Sequence, residues 1–479
     1  LGAALAPSDI LQRRWGEWWL VTDKADLFWS QLARFQAHCQ QNAPHDVLLA
    51  ESDPVRFLAA FLASCQHACR IWLANPQWGE REWAQVAAQC QPDWIIGTVP
   101  GGSLQEGAIA KTGSDDSPDS ASSAQILIPT GGSSGNIRFA VHTWKTLTAS
   151  VQGFCQHFRC GTVNAYCVLP LYHVSGLMQA MRCCLTEGKL VIQPFQQLLR
   201  QGVISPVCEG AFLSLVPTQL QRLLASDRNF VPWLQTFQAI LLGGAPANAA
   251  LLQQARDLQL PLAPTYGMTE TASQVATLLP QEFLSGQTGS GRALPHARIS
   301  ICDENGQPLS AGKVGQLTIQ AESLAHGFWQ QPFEPPFRSG DLGCVDEAGY
   351  LTVLGRSGRL IFTGGEKVLP EEVELAIAQT GYVQDVSVLG VEDETWGERV
   401  VAVVVPKIRP WSSDRIASIL RNQLSPYKRP KQWFVVPKLP RNAQGKLNRA
   451  HMHEWIVTQM TTTDITTELI PTSGDDADG

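Results

Sequence analysis

Short apolar runs at residues 47–49, 71–73 and 94–97 alternate with helical spacing at 54–69 and 80–90, and no other feature restricts the fold as strongly. A strand that returns parallel to its predecessor needs a crossover of a dozen or more residues, which a helix supplies. An α/β layer built on a parallel sheet is therefore expected. The pattern continues through a helix at 143–158, strands at 164–169, 189–192, 212–216 and 239–242, and a helix at 219–225. Upstream, residues 7–41 read as helical, with Trp15, Trp18, Trp19 and Trp29 as packing residues. From 289 to 350 short alternating strands, with turns such as Glu304-Asn305-Gly306, predict an antiparallel β subdomain. Past residue 355 the spacing becomes βαβ-like. The expected fold class is α/β with multidomain α+β character. Its parts are a large domain over 1–355, with parallel-rich α/β subdomains and the β subdomain, a small α+β domain over 356–460, and a disordered tail over 461–479.

Several strands run out into glycine. The apolar residues 126–129 lead into Thr130, Gly131, Gly132, Ser133, Ser134 and Gly135, a loop almost without side chains. Glycines let backbone N–H groups approach phosphate oxygens, and the hydroxyls add donors without bulk. Arg138 offers positive charge. No Lys-Ser or Lys-Thr follows the last glycine, so the loop is not a Walker A motif. Taken singly, a Gly/Ser loop is also an ordinary surface turn, so its partners decide. Gly243, Gly244 and Ala245 form a flat shelf at a strand end, where ligands settle in open α/β sheets. In the run 264–271, PTYGMTET, Tyr266 can stack on a base and Thr269 can donate to a phosphate. Glu270 can hold Mg²⁺ beside Gly267 and its neighbours. Ser339-Gly340-Asp341 offers a carboxylate to two ribose hydroxyls, or is a plain β-turn.

The net charge of -7 argues against a general nucleic-acid binder and points to small-molecule partners. The twelve cysteines contain no CxxC and no zinc-ligand spacing, which suits reduced thiols in the cytoplasm. No signal peptide is recognisable, and no run approaches the ~18 apolar residues of a membrane span. Residues 101–125 are too polar to bury a core and are expected to be a flexible lead-in.

In this order, the motifs resemble those of the adenylate-forming acyl-CoA synthetase superfamily, along nearly the whole chain. The loop 130–135 resembles its phosphate loop, PTYGMTET its Tyr-Gly-x-Thr-Glu motif, and SGDLG its ribose-binding Asp motif. GRSGRLIFTGGEKVLPEEVE resembles the hinge and thioester-forming loop, and PRNAQGKLNR the C-terminal Pro-Lys-x-x-x-Gly-Lys motif. The resemblance implies an AMP-forming acid–CoA ligase that uses ATP, Mg²⁺ and coenzyme A with a small carboxylic acid. It assigns Lys446 to bridge carboxylate and α-phosphate, Glu270 to Mg²⁺, and Thr130, Ser133 and Ser134 to the β- and γ-phosphates. Arg356 reaches the ribose, His173 stands at the acid-pocket edge, and Gly364, Gly365 and Glu366 serve thioester formation after the mobile small domain swings. Three departures stand out. Ile137-Arg138-Phe139 replaces Pro-Lys-Gly, Gly358 occupies the hinge position of an Asp or Lys, and Arg441 replaces the first lysine of the C-terminal motif.

Compact length and the segment PLYHVSGL most resemble the o-succinylbenzoate–CoA ligases of menaquinone and phylloquinone biosynthesis. A dicarboxylate would want a second cation, for which Arg182 and Arg292 are candidates. The rival expectations are an aryl-acid adenylating enzyme that loads a carrier protein, and a catalytically degenerate nucleotide-binding homologue.

Overall fold

The computed structural model describes residues 6–99, 124–131, 137–205, 210–247, 249–363, 366–393, 396–408, 410–441 and 447–461. Two large sheets carry the first part of the chain. One has seven strands in the order Gln331–Pro332, Gly327–Phe328, Ile137–Thr143, Gln125–Gly131, Arg70–Leu73, Asp46–Ala50, Trp94–Gly97. Its last four strands are mutually parallel, as the strand–helix alternation predicts. Val47, Leu48, Leu49 and Ala50 are all buried, because helices cover both faces of a parallel sheet and alternation is lost. The crossover helix Pro54–Gln66 starts where Asp53 accepts hydrogen bonds from the Val55 and Arg56 amides at 2.9 and 3.0 Å, with Pro54 in the first turn.

The second large sheet runs Leu20–Val21, Leu190–Ile192, Ala165–Cys167, Phe212–Leu215, Ala239–Leu242, Leu262–Met268, Ser273–Thr277, Arg292–Ala293. It is parallel up to Leu262–Met268 and antiparallel beyond. One continuous core joins both sheets through the helices Pro54–Gln66, Trp144–Phe158 and Val174–Leu185. The expected single helical stretch at 7–41 is instead split. Helix Pro7–Arg13 ends before Gly16, whose φ of +77° is left-handed, and Leu20–Val21 then pairs as an edge strand with Leu190 and Val191. A helix resumes over Phe28–Asn42.

The antiparallel sheet expected downstream is present, in the order Ala297–Cys302, Gly315–Ala321, Phe337–Val345, Leu351–Arg356. Residues 361–435 form a further sheet, and its βαβ-like reading needs correction. Val383–Asp393 and Gly397–Pro406 are an antiparallel hairpin, and only Gln432–Val435 joins Gly397–Pro406 in parallel. Residues 400–405 are a continuous buried apolar run, which fits a strand covered on both faces whatever the direction of its neighbours. The expected flexible and disordered stretches at 101–125 and 461–479 lie almost wholly outside the described residues. Among the described residues no helix is long and apolar enough to cross a membrane.

Candidate active site

Thr130 and Gly131 end one strand of a β-hairpin whose last pair sets Gly131 opposite Ile137. Thr130 faces Arg138 across that hairpin. Its hydroxyl is buried and has no hydrogen-bond partner among the described residues. Burying an unpaired hydroxyl costs about 1–3 kcal/mol, so Thr130 is disposed to meet a ligand oxygen. The Arg138 guanidinium lies over the Phe328 ring at 3.9 Å. Gly132, Ser133, Ser134, Gly135, Gly364, Gly365 and Lys446 lie outside the described residues.

The strand Ala239–Leu242 delivers the shelf Gly243, Gly244, Ala245 beside the PTYGMTET run, with Leu242 in register with Pro264. A Cβ on Gly243 would stand 3.0 Å from the Thr265 methyl, so the shelf and the run touch. Thr265 carries a second orphaned buried hydroxyl. The hairpin Leu262–Met268 and Ser273–Thr277 is bulged between Tyr266 and Gly267. A Cβ on Gly267 would lie 2.2 Å from the Ser273 carbonyl oxygen, so only glycine fits.

Thr269, Glu270 and Thr271 form a single 3-10 turn whose three carbonyls are each held by a residue distant in the chain. His142 Nε2 meets the Thr269 oxygen at 2.8 Å, the Ala325 amide donates to the Glu270 oxygen at 2.8 Å, and the Ser323 hydroxyl to the Thr271 oxygen at 2.9 Å. A carbonyl only accepts, so Nε2 of His142 bears the proton. Burial pushes the His142 pKa down to about 4, which keeps the ring neutral. The motif loop, which joins two strands of the second large sheet, is thus fixed from the first large sheet and from the segment 323–325. His142, Ser323 and Ala325 carry no local sequence signal, since each acts through a backbone far away in the chain.

Asp341 and Arg356 face each other across the strands Phe337–Val345 and Leu351–Arg356. Arg356 Nε donates to Asp341 Oδ1 at 3.1 Å, and the Tyr266 hydroxyl donates to Oδ2 at 2.6 Å. Burial, reinforced by the Asp341 charge, raises the Tyr266 pKa and keeps the phenol a donor. Tyr266, Asp341 and Arg356 are therefore brought together as one cluster, although the pairing of Tyr266 with Asp341 is not visible in either motif. A carboxylate has about four lone-pair sites, so Asp341 keeps acceptor capacity for two further donors.

His173 precedes the helix Val174–Leu185, its ring tilted against Tyr172 at 4.7 Å. Gly176 lets that helix start close to the preceding turn, since a Cβ there would meet the Pro170 oxygen at 2.1 Å. On the same helix, Arg182 is 2% exposed, and its Nη2 donates to Gln274 Oε1 at 2.8 Å and to Ser273 Oγ at 3.1 Å. Among the described residues no carboxylate pairs with it, and burial lowers its pKa to about 10. Arg292 differs: it is half exposed and salt-bridged to Glu282 at 3.1 Å, which removes it as a pocket cation.

Residues 29–329 match the AMP-binding enzyme family and residues 372–446 its C-terminal domain, so the chain belongs to the AMP-binding enzymes. Over 297 residues it is 35% identical to a 2-succinylbenzoate–CoA ligase of Geobacillus kaustophilus, covering 60% of each chain. A 2-succinylbenzoate–CoA ligase of Listeria monocytogenes is 34% identical over 300 residues, again 60% of each chain. The matched part thus spans about 60% of the length of these curated relatives. In fold, the chain is similar to an o-succinylbenzoate CoA synthetase from Bacillus subtilis in complex with its acyl-adenylate intermediate. The TM-score is 0.78 at 22% identity, over 93% of this chain and 97% of that one.

Proposed function

We propose that the protein is an ATP-dependent acid–CoA ligase that works through an acyl-adenylate, with 2-succinylbenzoate as its acid, in menaquinone biosynthesis. The observation that carries this is the cluster of Tyr266, Asp341 and Arg356, in which Tyr266 directly follows the buried, unpaired hydroxyl of Thr265. Membership of the AMP-binding enzymes and the names of the relatives support the choice of reaction and acid.

In the first half-reaction the acid's carboxylate attacks the α-phosphorus of ATP, the bond to the β-phosphate breaks, and pyrophosphate leaves. Asp341 accepts hydrogen bonds from the ribose hydroxyls, oriented by Tyr266 and Arg356. The Thr130 and Thr265 hydroxyls turn to phosphate oxygens, and Glu270, on its braced turn, would hold Mg²⁺. A metal held there would supply positive charge against the phosphates, and Lys446 supplies it at the α-phosphate. In the second half-reaction the thiolate of coenzyme A attacks the acyl carbonyl and AMP leaves. The domain 356–460 acts as a lid, turning about Arg356–Gly358 so that Lys446 withdraws and Gly364 and Gly365 approach.

His173, ahead of the helix Val174–Leu185, stands at the edge of the acid pocket. Arg182 is the cation for the second carboxylate. A cytoplasmic site of action belongs to the same proposal, supported by eleven described cysteines that are all unbridged.

Carboxylate-dependent exchange of pyrophosphate into ATP, run over a panel of acids, tests the first half, and AMP release with and without coenzyme A tests the second. The expected result is exchange with 2-succinylbenzoate and coenzyme A-stimulated AMP release. Absence of exchange with every aromatic and fatty acid would overturn the proposal, and exchange without stimulation would favour a carrier-protein acceptor.

A further inference from the structure

The hairpin that carries Thr130 outruns its neighbour on the outer side. In an antiparallel strand the N–H and C=O of one residue point to the same side, and successive residues alternate. Along Ile137–Thr143 the carbonyls of Phe139 and Val141 face outward, where they accept from the Trp329 and His326 amides at 2.8 and 2.9 Å. The same alternation turns the N–H and C=O of Ile137 outward. No backbone follows them there from the neighbouring strand: the chain reverses at Gln330, whose φ is +63°, and Gln331–Pro332 runs back along Gly327–Phe328.

Two side chains stand where that strand would have continued. Gln85, on the helix Glu80–Ala87, accepts from the Ile137 amide on its Oε1 at 2.7 Å. Gln89, just past the helix, donates from Nε2 to the Ile137 carbonyl at 3.0 Å and to the Gln85 carbonyl at 3.1 Å. A primary amide offers the acceptor and the donor of a peptide group, so the pair covers the edge as a strand would. Trp83 and Val86 seat the helix for this, buried in one cluster with Ile137 and Phe139.

The departures at 137–139 from Pro-Lys-Gly fit this arrangement. A proline at 137 fixes φ by its ring but has no N–H to give Gln85. Isoleucine lacks the ring and supplies the N–H. Phe139 is fully buried, edge-on to Trp72 at 5.0 Å, and Arg138 lies over the Phe328 ring at 3.9 Å. Packing therefore pins the strand at 138 and 139, and the glutamines pin it at 137.

Resting on the ligase function proposed above, we infer that Gln85, seconded by Gln89, is a positioning residue for the phosphates of ATP. It fixes the last pair of the hairpin, and with it Thr130 and Arg138, doing by hydrogen bond what proline does by its ring. It acts through Ile137 and not on the substrate.

The test is a double-mutant cycle on the full chain. Gln85→Met keeps length and packing but loses the acceptor. It should raise the KM for ATP at least about fivefold in pyrophosphate exchange, with the KM for the acid within about twofold of wild type. Ile137→Pro has no N–H to leave unpaired, and because that N–H faces outward, proline breaks no bond to the facing strand. In the Ile137→Pro background, Gln85→Met should therefore change the KM for ATP by less than about twofold. A merely structural glutamine would act on both substrates alike and add to the effect of proline. Such additivity, or a silent Gln85→Met, overturns the positioning and leaves the ligase. Where Ile137→Pro does not fold, hydrogen exchange at the Ile137 amide takes its place: faster exchange in Gln85→Met alongside the raised KM keeps the positioning, and unchanged exchange removes it. A wild type that binds MgATP but activates no acid overturns the ligase, and calorimetric titration of the same proteins with MgATP then decides the positioning by the same cycle. A wild type that binds no MgATP overturns both.

Discussion

Asp341 shows how a single side chain can be both satisfied and available. Its two oxygens already accept from Tyr266 and Arg356, which fixes the carboxylate plane while leaving lone pairs for a ligand. Tyr266→Phe should therefore weaken nucleotide binding without removing catalysis. The loss of one hydrogen bond to a charged acceptor is worth about 1.5–3 kcal/mol. The expected outcome is a rise of roughly tenfold or more in the KM for ATP, with kcat changed much less, measured by initial rates at saturating acid. Each residue of this cluster was legible as a candidate because it sits in a short motif at a strand end. The bond between them was not, because Tyr266 and Asp341 are 75 residues apart and no local pattern records which strands become neighbours. Arg292 was misjudged for the same reason: its charge is legible, its Glu282 partner is not.

At the scale of elements, the Thr269–Thr271 turn owes its shape to three outside donors. His142 is the most exacting of them, because it must stay neutral while fully buried. Its pKa of about 4 in the folded protein lies below the usual ~6.5 of an unfolded chain. Between those values the unfolded state binds more protons, so stability falls as pH drops from about 6.5 towards about 4, by up to about 1.4 kcal/mol per pH unit from this residue. His142→Gln keeps an N–H for the Thr269 carbonyl but does not titrate. Its unfolding midpoint should drop less than that of wild type between about pH 6.5 and about pH 5, in thermal melts followed by circular dichroism. The elements themselves were largely legible where they are long and periodic, as in Pro54–Gln66 and Trp144–Phe158. Leu20–Val21 was not: two residues carry no period, and only their partners at Leu190 and Val191 make them a strand. The hairpin of Val383–Asp393 and Gly397–Pro406 was assigned the wrong connectivity because a buried apolar run does not state strand direction.

At the scale of the whole molecule, the junction after Leu351–Arg356 is narrow. Arg359 pairs with Glu371, and a Cβ on Gly355 would stand 2.5 Å from the Glu371 carboxyl carbon, so the helix Pro370–Gln379 abuts the end of that strand. Much of the basic character of residues 428–449 is matched within this part: Lys428 pairs with Glu372 at 2.6 Å and Arg441 with Asp385 at 2.7 Å. Lys446, which lies outside the described residues, is the member of the run that the family resemblance puts forward for catalysis. Lys446→Ala should cut adenylation by orders of magnitude while coenzyme A attack on preformed acyl-adenylate survives, measured as two separate half-reactions. Equal loss of both would count against a swinging lid.

The seven-stranded sheet closes late. Ala140 pairs on its outer side with Phe328, a residue made long after the rest of that sheet. While the ribosome is still adding the intervening chain, the strand Ile137–Thr143 has a partner on one side only, and its outer edge, which includes Phe139 and Ala140, stays unpaired. Unpaired edges of this kind recruit other strands. Until residues 326–329 are made, that edge has no partner of its own to pair with.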